Sequence, residues 1–149
     1  MLRILISSGS VNMQALQALN HNHLSASHCF SELEREIVNT LRFQALSCRA
    51  SSRIDIFSVC RSSDLTAYVS LKEYYDLLIR TYPDVIDKQP IWLRVGEVNA
   101  TFDESWLVRV ISLAMQDQID NLDMLIRGRV AREKRRFFHL ILSNMAKFY

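Results

Sequence analysis

Residues 127–138, RGRVAREKRRFF, hold six Lys or Arg side chains and one Glu before closing on two phenylalanines. Guanidinium and ammonium groups at that density are suited to one task, holding phosphate or carboxylate oxygens through charge-assisted hydrogen bonds. The block carries +5, while the other 12 basic and 15 acidic residues sum to −3, so the net +2 of the 149-residue chain conceals one basic region on a mildly acidic background. Such a region is either a footprint for a polyanion or a set of charges balanced by acidic neighbours in the fold.

The residues that follow say how the block is presented. With about 100° of turn per residue, Val130, Phe137, Phe138, Ile141, Leu142, Met145 and Phe148 share one face of a helix over 130–148, and Arg132, Arg135, Arg136, His139, Ser143 and Lys147 share the other. Lys134 lands on the apolar side, where its stem can lie along the core while the ammonium reaches out. The phenylalanines point inward, which leaves no alternation of aromatic and basic side chains for stacking single-stranded bases. What is left is an arginine stripe suited to phosphates. The candidate nucleic-acid-binding residues are Arg127, Arg129, Arg132, Arg135, Arg136, His139 and Lys147.

The leading expectation is therefore a small non-enzymatic regulator, of the transcription-regulator type, that binds nucleic acid through a basic C-terminal helix. A homodimer would set two such stripes side by side. No helix-turn-helix signature supports it, because the short segment IDNLDMLI ahead of the block is acidic. The competing structural reading is a solvated helix face whose arginines meet Asp103, Glu104, Asp117, Asp120 or Asp123, with Asp123 and Arg127 at the favourable i, i+4 spacing. The rival function is a protein-interaction module without nucleic-acid binding, such as an adaptor, antiactivator or secretion accessory factor. Its surface would be the aromatic middle (Tyr74, Tyr75, Tyr82, Trp92, Trp106) or the acidic helix ends, and an acidic protein partner is the alternative occupant of the basic stripe.

Other chemistry is thinner. His21, His23, His28 and Cys29 are zinc-type ligands at a spacing that matches no common zinc motif, so a His-rich polar linker is the simpler reading. Cys29 beside His28 has no nucleophile elbow around it, only three glycines exist to shape an oxyanion hole, and no Gly-rich phosphate loop is present. The expectation is no enzyme, no cofactor and no metal. Cys29, Cys48 and Cys60 are odd in number and lack a Cys-x-x-Cys pair, which favours reduced thiols and a cytoplasmic location. No apolar run reaches the roughly 18 residues of a membrane span. The first 31 residues contain no Asp or Glu and a single Lys or Arg, Arg3, a poor match to a targeting segment; a start at Met13 would remove the first dozen residues.

Three capping boxes place the elements. In SELE (Ser31, Glu34), SLKE (Ser70, Glu73) and TFDE (Thr101, Glu104), the hydroxyl accepts from the third following amide and the Glu reaches back. Apolar residues at helical spacing follow each box, predicting helices over about 32–46, 71–81 and 103–116. Pro83 should close the second, and Gly128 should break the chain between IDNLDMLI and the last helix. Alternation in residues 53–60 and 91–98 admits a small two-stranded β element. The expected fold is mainly α, a single compact domain of about five helices over 31–149, preceded by an extension or weak helix and polar linker over 1–30.

Overall fold

A computed structural model of the chain describes residues 30–48, 53–62, 68 and 70–149. The expectations for residues 1–29, including the start at Met13 and the cluster of His21, His23, His28 and Cys29, lie outside the described residues. The described chain is mainly helical. Its six helices are α1 (Glu32–Ser47), α2 (Ile56–Ser62), α3 (Leu71–Val85), α4 (Phe102–Met115), α5 (Ile119–Arg129) and α6 (Arg132–Ala146).

All three capping boxes form as the sequence predicts. Ser31, Ser70 and Thr101 each accept from the amide of Glu34, Glu73 and Glu104, and each glutamate accepts the cap amide in return. Two orphan donors are thereby satisfied at the start of α1, α3 and α4. Helix α4 is apolar around most of its girth, which places it at the centre. It borders α1, α5 and α6, while α3 borders α1, α2 and α6. Leu107, Val108, Val110 and Ile111 of α4 join Ile37 and Leu41 of α1, Leu78 and Tyr82 of α3, Ile126 of α5, and Phe138 and Ile141 of α6 in one buried cluster. A column of rings crosses this core. Trp92, Tyr82, Trp106 and Phe138 follow one another at centroid spacings of 6.0, 6.1 and 6.0 Å, the last two pairs stacked near parallel.

Four sequence expectations are corrected by competing physics. The proline at 83 does not end α3, which continues to Val85; complete burial of Tyr82 and Val85 outweighs the single backbone bond that Pro83 removes. The Gly128 position is helical within α5, and the chain turns instead at Val130, whose backbone is extended. Residues 56–62 are helical rather than part of a strand. There Asp55 accepts from the Phe57 amide and Asp84 from the Ile56 amide, while Ile56 and Val59, three apart, turn into the core.

Residues 91–98 are irregular, and no strand occurs among the described residues. The reason is where their hydrogen bonds go. The amides of Ile91, Leu93 and Gly96 donate to side chains of Asp103, Glu104 and Asn39 at 3.1, 2.7 and 2.9 Å, and the Thr101 hydroxyl donates to the Ile91 carbonyl at 2.7 Å. Carboxylates at the start of α4 thus take the role that a neighbouring strand would have played.

Candidate functional site

The basic block is divided among several structural tasks. Arg129, at the end of α5, is largely buried. Its guanidinium pairs with Asp103, donates to the Tyr82 hydroxyl at 3.2 Å, and lies 4.9 and 5.0 Å from the ring centres of Phe102 and Trp106. Asp103 receives Lys88 at 2.8 Å as well. Burial pushes the Asp103 carboxyl up, but the hydrogen bonds from Lys88, the Ile91 amide and Arg129 prevail and hold it below its ordinary range. Arg127 pairs with Asp123 at 2.6 Å across one helical turn, as the spacing predicts.

Lys134 and Arg135 tie helix ends together. The Lys134 ammonium donates to the Asp84 carbonyl and to Asp87 Oδ1, both at 2.7 Å, fixing the start of α6 to the end of α3. Its pKa is raised: burial works against the charge, but Asp87 and Asp84 outweigh it. Arg135, expected on the solvent face, instead folds back to donate to the carbonyls of Val130 at 2.8 Å and Arg127 at 3.2 Å, filling acceptors left open where α5 ends. His139 stands 3.5 Å from Asp123, and Lys147 donates to the Asn144 amide oxygen at 2.7 Å. Arg132 and Arg136 are exposed and meet no acidic side chain among the described residues. The stripe of seven candidates is thus reduced to Arg132, Arg136 and Lys147 as exposed cations without an acidic neighbour among the described residues.

The aromatic middle is mostly interior. Tyr74, Tyr75, Tyr82 and Trp106 are buried, and Tyr75 meets the Tyr149 hydroxyl at 2.5 Å. Trp92 is different. It is half-buried, with one side against Tyr82 and the other on a cleft that the sequence did not single out.

That cleft measures about 520 Å³ and lies between the C-terminal halves of α1 and α3 and the 89–95 segment. Ala45, Leu46, Ile79, Pro83, Trp92 and Val95 supply much of its apolar surface; Arg53, Arg80 and Arg94 supply charge. Leu46 and Val95 are about half exposed, at 52 % and 50 %, and Phe43, one turn before Leu46, is 59 % exposed. An apolar rim at the edge of a concave surface is a feature that binding sites share.

The cleft wall is held rigidly. Arg42 is wholly buried and grips Glu104 in a two-pronged pair, both contacts 2.9 Å. The same guanidinium donates to the carbonyls of Glu97 at 2.8 Å and Asn99 at 2.7 Å, which pins the 91–99 segment to α1. Cys48 closes one end. Its thiol donates to Asp76 at 2.9 Å, and burial together with that carboxylate pushes its pKa up, so it is a protonated thiol and not an activated nucleophile. No group of three or more metal-ligating side chains occurs among the described residues. No described helix is long and apolar enough to cross a membrane.

The sequence carries one trace of this site. Leu46, which lines it, lies off the apolar stripe of α1 that Ile37 and Leu41 define, as a large apolar side chain on a face that should be polar. Comparison with known protein families, characterised proteins and solved structures finds no match to this chain, so the geometry alone supports the functional reading.

Proposed function

We propose that this chain is a non-enzymatic protein-interaction module of the adaptor type, which receives a segment of a partner protein in the cleft between α1, α3 and residues 89–95. The observation that carries this reading is the cleft itself: a preformed concavity with an exposed apolar rim at Leu46 and Val95 and a wall anchored by the buried Arg42–Glu104 pair. A preformed site costs less to order on binding than a mobile one.

A second reading, nucleic-acid binding through the C-terminal helix, rests on the exposure of Arg132, Arg136 and Lys147 without acidic partners among the described residues. Three cations give it a small electrostatic basis, since each neutralised phosphate contributes one released counterion to affinity. One experiment separates the two. Immobilised protein is presented to a native lysate with and without nuclease, beside the variants Leu46→Asp with Val95→Asp and Arg132→Glu with Arg136→Glu. Adaptor binding predicts a stoichiometric protein partner whose capture survives nuclease and the arginine reversals but is lost with the two cleft aspartates. Capture abolished by nuclease and by the arginine reversals overturns it in favour of nucleic acid.

A further inference from the structure

We infer that the cleft selects an acidic apolar peptide: a partner segment that seats leucine- or phenylalanine-type side chains on the apolar floor and sets carboxylates against Arg94 and Arg53. This rests on the reading that the cleft is the partner site. Its basis is charge complementarity. Among the described residues, the lining of the cleft includes four arginines and no Asp or Glu. Arg42 is neutralised in place by Glu104. Arg80 is paired with Asp76 across one helical turn, so the positive excess lies on Arg94 and, more weakly, on Arg53.

Arg53, its side chain about half exposed, stands 3.7 Å from Asp84, looser than the roughly 2.7–2.9 Å of a good charge-assisted bond, and Asp76 is taken up by Arg80. Neither carboxylate is part of the lining. Arg94 is exposed, in the segment that Arg42 and Asn39 hold against α1. A carboxylate entering the cleft would thus meet guanidiniums already positioned by the fold, and bidentate recognition by arginine is the geometry that favours carboxylates.

The floor decides between anionic ligands. Ile79, Pro83, Leu46 and Val95 offer burial to apolar side chains, which a sugar–phosphate backbone does not bring. A fatty acid would bring both charge and chain, but ligand pockets enclose most of a small molecule's surface, and this cleft is partly open to solvent. A peptide needs only one face covered. No strand is present among the described residues to extend, so the mode is side-chain anchors in a groove rather than strand addition.

The test uses the full chain. Randomised dodecapeptides displayed on phage are selected on it, and the consensus peptide, fluorescein-labelled, is titrated by anisotropy. The expected consensus pairs Asp or Glu with Leu, Ile or Phe. Its affinity should fall about fivefold with Arg94→Glu and about tenfold when Arg53→Gln is added, with each variant's melting curve confirming the fold. Replacing the consensus carboxylates by amides should weaken binding to the same degree, and rising salt should erase the difference between wild type and variants. A neutral or basic consensus whose binding is lost in Leu46→Asp overturns the charge assignment while the cleft stands as the site. A consensus indifferent to Leu46→Asp and Val95→Asp overturns both. Saturable binding of dodecanoate, sensitive to Leu46→Asp, with no peptide enriched, overturns the peptide in favour of a lipid-type anion.

Discussion

Replacing Arg42 by methionine should cost about 3–5 kcal/mol, the usual consequence of removing one member of a buried ion pair. Methionine keeps most of the length and apolar volume, so the loss isolates the guanidinium. That group makes four contacts, two to Glu104 and one each to the carbonyls of Glu97 and Asn99. Without it the Glu104 carboxylate keeps, among the described residues, the amide partners Leu93 at 2.7 Å and Thr101 at 2.9 Å on a side chain with 0 % exposure. Against a total stability of about 5–15 kcal/mol for a domain of this kind, the loss is large. With a urea m value of about 2 kcal/mol/M, the midpoint should fall by about 2 M.

The double variant Arg42→Met with Glu104→Gln should recover about 1–3 kcal/mol of the summed single losses, because a neutral amide no longer needs a counter-charge. Urea unfolding of all four proteins by far-UV circular dichroism measures the cycle. Since Arg42 also holds the 91–99 segment, peptide binding at the cleft should weaken in Arg42→Met under conditions where the variant is still folded. A midpoint within about 0.3 M of wild type, or strictly additive losses in the double variant, would show that the pair does not anchor the cleft wall.

Two further outcomes follow from the backbone and from the second buried carboxylate. Gly128→Ala should stabilise the protein by about 0.5–1 kcal/mol, since Gly128 is helical with open space where a Cβ would stand, whereas Gly96→Ala should cost about 1–2 kcal/mol because Gly96 has φ +84°; thermal melts of the pair give opposite shifts. Asp103 has a depressed folded pKa, so its contribution is present above the ordinary carboxylate value of about 4 and disappears as pH falls through the lower folded value. Asp103→Asn should therefore be destabilised at neutral pH and show a flatter loss of stability below about pH 4 than wild type, measured by urea midpoints across pH; parallel pH profiles would refute the assignment.

Helix starts were legible because their signal is local. Ser31, Ser70 and Thr101 each carry the glutamate that completes the box three residues on. Helix ends were less so. Pro83 and Gly128 both signal termination by local preference, and both were overridden by burial of their neighbours Tyr82, Val85, Ile126 and Val130. The basic block was legible in composition but not in destination. That Arg129 meets Asp103, that Lys134 meets Asp84 and Asp87, and that Arg135 turns back on α5 are consequences of which helix ends come together. The cleft was the least legible, because its lining is assembled from residues 42–48, 53, 79–83 and 89–95 and its anchoring pair, Arg42 and Glu104, is separated by 62 positions.

The 91–98 stretch, IWLRVGEV, has the composition of an adhesive edge strand: branched and aromatic residues, few charges, and Val98 86 % exposed. Such a segment with open amides would recruit a copy of itself from a neighbouring molecule and seed stacked aggregates. Here the amides of Ile91, Leu93 and Gly96 are already committed to Asp103, Glu104 and Asn39. The side chains that hold this stretch against α1 and α4 therefore also withdraw three of its amides from pairing with another chain, which shortens the row that a neighbouring strand could read.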